Sequence, residues 1–215
     1  MIKTSDLTGS RLLIAAARFF STVLSPLLMP TYGVFLILWT SVLCYLPTGT
    51  RMAVLAVILG ITCILPMVFI TVLHNVGFIK DKRLIQRSER LIPYIFGVLC
   101  YVGATFYMIH IHSPQWVVMF FAGGTVSCLI TLVVNQRWKI SAHMTGIGGI
   151  VALIYQIHIQ GLGALNTFWL LCATIMLCGV LGTSRLVLHR HTLWQVLAGF
   201  VSGFTCVFLA ISLFG

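Results

Sequence analysis

Acidic side chains are almost missing from this chain. In 215 residues only Asp6, Asp81 and Glu89 are acidic, against thirteen Lys or Arg. Membrane phosphotransferases and prenyltransferases that use magnesium hold the ion with clusters of Asp. Three scattered acids, none inside an apolar run, exclude that chemistry. Charge of either sign is scarce, at 7% of residues against 60% hydrophobic. A water-soluble domain of this size lacks the interior to bury such an apolar fraction. Paired cysteine spacing is absent too. Cys44, Cys63, Cys100, Cys128, Cys172, Cys178 and Cys206 all lie in apolar runs, which excludes a disulfide frame or zinc site and makes them small packing residues. The N-terminal MIKTSDLTGS carries no small-residue cleavage pattern, so no signal processing is expected.

What the chain does have is apolar sequence in lengths that fit a bilayer. Runs of about the 20 residues a span needs fall near 31–47, 52–74, 91–111, 115–134, 143–160, 165–183 and 193–214. We count six or seven spans. The preceding stretch 11–29, RLLIAAARFFSTVLSPLLM, contains Arg18 and Pro26 and reads either as an interfacial helix or as a short first span. The expected organisation is therefore an N-terminal segment, 1–30, followed by a helical bundle over 31–215. The fold class is all-α, a polytopic transmembrane helix bundle surrounded by lipid.

A net charge of +10 fits either nucleic acid or anionic lipid as partner. The charges sit in short connectors between apolar runs, which excludes nucleic acid. Three connectors hold almost all of them: KDKRLIQRSER at 80–90, NQRWKISAH at 135–143 and SRLVLHRH at 184–191. Two spans separate each from the next, and an even number of crossings returns the chain to the same face. The three basic segments are thus expected together on one side of the membrane. The opposite connectors, PTGTR, HIHSPQ and IQGLGALNT, contain one Arg between them. If 11–29 is interfacial, Lys3, Arg11 and Arg18 join the basic face and the positive-inside rule makes it cytoplasmic. If 11–29 spans, the basic face is extracytoplasmic.

Each basic segment has a bland reading when taken alone. Arg83, Arg87 and Arg90 resemble a cluster that holds lipid headgroups. Ser141 before a Gly-rich run resembles a helix cap. Together they place guanidinium groups, a helix N-terminus, a hydroxyl and two histidines on one face. The planar fork of Arg matches two phosphate oxygens, and a helix N-terminus favours anions. Imidazole acts as nucleophile or proton donor near neutral pH. His191 and Gln195, four apart on a helix, share a face and can hydrogen-bond. The ensemble points to phosphoryl transfer without carboxylates. A metal reading of His110, His112, His158 or His189 is weaker, because His110 and His112 fall on the other face.

The three segments resemble the signature motifs of the type 2 phosphatidic acid phosphatase superfamily, the membrane lipid phosphatases related to vanadium haloperoxidases. That family's third motif is Ser-Arg, five residues, His, three residues, Asp. Here Ser184-Arg185 is followed after five residues by His191 and after three more by Gln195. The second motif, Pro-Ser-Gly-His, is met by Ile140-Ser141-Ala142-His143. The first, Lys, six residues, Arg-Pro, is met by Arg83 and Arg90, with Pro93 displaced by two. The likeness covers roughly residues 80 to 200, with motifs at 83–93, 139–143 and 184–195.

The resemblance implies a role for each matched position. His191 would attack phosphorus and form a phosphohistidine, and His143 would protonate the leaving alkoxide. Arg83, Arg90, Arg185 and Ser141 would hold the phosphoryl oxygens, and no metal or other cofactor is implied. The implied substrate is a phosphorylated lipid or polyprenyl phosphate, and the implied location is a bacterial inner (cytoplasmic) membrane. Gln195 stands where the family has Asp. It can accept the ring N–H but carries no charge, and in a serine-protease triad the same exchange costs on the order of 10⁴ in turnover. That departure supports an alternative, a weak or inactive relative that binds or transports a phosphorylated lipid.

Overall fold

The computed structural model describes residues 4–79 and 91–215. Its helices are α1 (Thr4–Val23), α2 (Met29–Thr40), α3 (Thr48–Leu59), α4 (Leu65–Asn75), α5 (Leu91–His110), α6 (Gln115–Asn135), α7 (Ala142–Ile159), α8 (Phe168–Val187) and α9 (Leu193–Phe214). Among the described residues there is no strand, only an isolated bridge between Ser41 and Gly163. Helices α3 and α4 run on as one rod, Thr48–Asn75, through a π turn at Gly60–Ile64. Pro66 explains that turn. It has no N–H to give and its ring crowds the carbonyl four residues back, and the widened turn, with Leu65 N–H on the Gly60 carbonyl, relieves the conflict.

Among the described residues six helices are long and apolar enough to cross a membrane: the Thr48–Asn75 rod, α5, α6, α7, α8 and α9. The chain is an all-α polytopic bundle. The run 31–47 does not make a seventh span. It folds as the 12-residue α2 and a 3₁₀ turn at Val42–Tyr45, and twelve residues reach only about 18 Å of the roughly 30 Å hydrocarbon layer. The break comes at Ser41. Its hydroxyl takes the Ile37 carbonyl at 2.6 Å, in competition with the helix. The flanking backbone turns away to pair with the α7–α8 loop, through Val42 N–H to Leu162 O and Ala164 N–H to Thr40 O, both 2.9 Å. Helix α1, whose sequence includes Asp6, Arg11 and Arg18, is not among the six and packs against α8.

Helix α7 is the centre of the bundle. Of its spanning window 67% is buried, against 22–44% in the other five. It runs parallel to α9: Ser141 N–H meets the Gln195 carbonyl at one end, and the Gln156 amide meets the Phe208 carbonyl and Ser212 hydroxyl at the other. Glycines permit the approach. A Cβ on Gly199 would lie 2.6 Å from the Ser141 carbonyl oxygen, and one on Gly203 would collide with the Thr145 carbonyl. Large apolar side chains such as Phe106, Val133, Trp169 and Met176 are exposed around the outside, where a bilayer would cover them. All seven cysteines are free thiols.

The crossings have the parity expected from the connectors. Helix α6 is antiparallel to α7 and α9, with Gly123 against Val207 and the Thr131 hydroxyl 3.4 Å from that of Thr145. Helix α5 is antiparallel to α4, with Phe96 stacked on Phe69 at 3.9 Å. The C-terminal ends of α4, α6 and α8 and the starts of α5, α7 and α9 therefore lie on one face. The loops after α5 and α7 lie on the other.

Candidate functional site

A cavity of about 730 Å³ opens on the face that carries the basic segments 135–143 and 184–191. Arg18, Lys139, Arg185 and Arg190 line it together with His143, His189 and His191, and none of its described lining residues is acidic. Residues further along the spans line it too: Pro66 and Ile70 of α4, Gly97 and Tyr101 of α5, and Ser127 and Cys128 of α6. Tyr101 is ten residues beyond Leu91, about 15 Å down the span at the usual helical rise.

His191 is held by the start of α9. Thr192 is the N-cap and Gln195 the third helical residue, and the T-x-x-Q spacing is that of a capping box. Gln195 Oε1 accepts the Thr192 backbone N–H at 3.2 Å and lies 3.2 Å from His191 Nδ1. A backbone N–H can only donate, so the shared atom is the amide oxygen. His191 Nδ1 must then carry the proton, which puts the ring's lone pair on Nε2.

His143 is the second residue of α7. Its Nε2 lies 3.0 Å from the carbonyl oxygen of Ser21, so that nitrogen is the N–H donor. Arg185, in the last turn of α8, donates from Nη1 to the Ser21 hydroxyl at 3.2 Å. The turn that follows reverses the chain toward His191. His189 adopts φ 49°, its N–H bonds Leu186 O at 2.9 Å, and Arg190 N–H bonds Arg185 O at 3.1 Å. This is the left-handed helix stop usually made by Gly. His189 and Arg190 both line the cavity.

His143, Arg185 and His191 are therefore brought together, and Gln195 reaches the site through His191. Ser141 is not. It is fully buried at the N-cap of α7 and makes no side-chain cap. Its hydroxyl has no partner among the described residues, and it is not one of the cavity's lining residues. The anion donors that this helix start does offer are the first-turn N–H groups of Ala142 and His143, which have no partner inside the helix and belong to residues lining the cavity. Arg83 and Arg90 lie outside the described residues; Pro93, at the end of the same motif, lines the cavity. Among the described residues no three His, Cys, Asp or Glu side chains gather as a metal ion would need.

Two contributors escaped the sequence reading. Lys139 falls within the 139–143 motif, but the motif gives it no role. Ser21 comes from the segment whose crossing was left open, and no motif marks it. The chain matches no family model, no curated protein and no solved structure, so its function has to be argued from its own residues.

Proposed function

We propose that the chain is an integral-membrane phosphohydrolase of the type 2 phosphatidic acid phosphatase kind. It would cleave a phosphomonoester or diphosphate from a lipid or polyprenyl substrate without a metal, in a bacterial inner membrane. The observation that carries the reading is the convergence of His191, His143 and Arg185, distant in sequence, on one cation-lined cavity. The apolar lining residues Pro66, Ile70 and Val98 suit a hydrocarbon chain beside the headgroup.

In this mechanism Arg185, Lys139 and the first N–H groups of α7 face the phosphoryl oxygens, where positive donors stabilise the charge that builds up. His191 Nε2 attacks phosphorus while Nδ1–H stays on Gln195. The P–O bond to the lipid breaks, and the leaving alkoxide takes the Nδ1 proton of His143, which enters this step as the imidazolium and keeps its Nε2–H on the Ser21 carbonyl. Water then attacks the phosphohistidine, giving a proton to His143, and releases inorganic phosphate and the His191 ring. Each histidine ends in its starting state.

One observation favours a second reading, a relative that binds or transports a phosphorylated lipid without hydrolysing it. Gln195 is neutral and already engaged as a helix cap, so it brings no counter-charge to a phosphohistidine ring. One assay separates the two. The full chain in detergent is expected to release phosphate from phosphatidate or a prenyl diphosphate with chelator present, and His191→Ala to abolish release. Turnover that survives in His191→Ala would remove His191 as nucleophile. Lipid-phosphate binding without turnover in the unaltered chain would favour the binder.

A further inference from the structure

Ser21 links the two side chains that the proposed chemistry uses for proton transfer and phosphate grip. It lies 122 residues from His143 and 164 from Arg185 in sequence, on a helix outside the six spans, and it lines the cavity. Its carbonyl is available for a structural reason. Helix α1 ends at Val23, and the last four carbonyls of a helix have no partner within it. Two of them are taken by other helices: Val23 O accepts the Tyr32 hydroxyl at 2.8 Å, and Ser21 O accepts His143 Nε2–H at 3.0 Å. The hydroxyl is constrained as well. A guanidinium has only donors, so the Ser21 oxygen must accept from Arg185 Nη1. Its own proton is then left to donate to a third group at the cavity surface.

We infer that Ser21 is a positioning residue of this site, contributed by α1, and that its hydroxyl bonds a phosphoryl oxygen of the substrate while it fixes Arg185. The inference rests on the phosphohydrolase reading above. The carbonyl holds His143 as an Nε2–H donor. The hydroxyl aims the Arg185 fork and adds one donor beside it, at the point where the headgroup enters. Helix α1 thereby becomes a wall of the site, and the bundle of six spans alone would leave it incomplete.

The experiment compares the unaltered chain with Ser21→Ala and Ser21→Thr, all full length in detergent. It reads phosphate release from a short-chain phosphatidate and inhibition by orthovanadate. Ser21→Ala keeps the carbonyl and removes the hydroxyl. It should raise KM and the vanadate inhibition constant about tenfold, the effect of losing one hydrogen bond to a charged group, with kcat changed by less than about threefold. Ser21→Thr, which restores the hydroxyl, should recover most of the loss. Unchanged KM and vanadate inhibition in Ser21→Ala would overturn the inference and leave the phosphohydrolase reading standing. So would a loss of yield and kcat that Ser21→Thr fails to rescue, which would mean that Ser21 only docks α1. An unaltered chain that neither turns over nor binds vanadate would overturn both.

Discussion

Gln195 Oε1 accepts two hydrogen bonds, and the one from Thr192 N–H establishes what the one from His191 can be. The ring is oriented as the proposed nucleophile would require, and the group that orients it is neutral. The side chain that best tests the missing charge is Glu, because it has the length of Gln and satisfies the same capping box. With both accepted bonds kept, a carboxylate there would favour the charged imidazole ring that forms during attack. Gln195→Glu is therefore expected to raise the single-turnover rate of phosphate release by about tenfold or more, a fraction of what the acid contributes in the serine-protease case. Gln195→Asp, one methylene shorter, should gain less. Equal rates for Gln and Glu would show that orientation of the ring, not charge, is what this position supplies. The His191–Gln195 pairing was readable from their spacing of four. The capping role was also present in the sequence, as TLWQ, but a motif comparison that looks for Asp at this place passes over it. Ser141 is a related case: its place in the motif implied a phosphate ligand, whereas its hydroxyl is buried and the neighbouring Ala142 and His143 line the cavity.

Four helices end in the same way. After α4, α5, α7 and α8 a residue with φ between 49° and 77° reverses the chain: Gly77, His112, Gly161 and His189. Each time its N–H bonds the carbonyl three residues back, and the next N–H reaches five back, as from Arg190 to Arg185 and from Ser113 to Met108. Two of these stops use His where Gly is free of the penalty for left-handed backbone. His112→Gly, on the face away from the cavity, is expected to stabilise the protein by about 1 kcal/mol, read as a higher unfolding midpoint in detergent. Gly161→Ala should lower it by a similar amount, and for conformational reasons alone, since a Cβ there would meet nothing within 4 Å. A lower midpoint in His112→Gly would mean that the imidazole makes a contact worth more than the strain. At this scale the sequence announced the long spans, because length and apolar composition suffice to specify them. It did not announce where α2 stops. That break depends on Ser41 and on backbone pairing with residues 162–164, more than a hundred positions away, which no local pattern carries.

The arrangement of the whole molecule follows from counting crossings, and that count was available before any coordinates. An even number of spans between basic segments returns Lys139, Arg185 and His191 to one face, and the cavity forms where they meet. Positive charge on that face is concentrated in connectors, while the opposite loops carry Arg51, which lies over the Trp39 ring at 4.9 Å. What counting did not supply was the part of α1, because a helix that fails the length-and-hydropathy test for a span contributes nothing to parity, yet delivers Ser21 to the site. The same parity makes a prediction that is independent of any chemistry. Helix α9 starts at the cavity and runs 22 residues parallel to α7, so Gly215 must emerge on the face opposite the Gln136–Lys139 connector. An epitope placed between Gln136 and Arg137, which are both exposed, and a second one after Gly215 are expected to react with a membrane-impermeant reagent from opposite sides of sealed vesicles. Reaction of both from the same side would mean that α7, α8 and α9 do not make three crossings. If α7 or α8 is the one that fails to cross, His143 and His191 are separated and no phosphoryl site can be built from them; if it is α9, both keep their face.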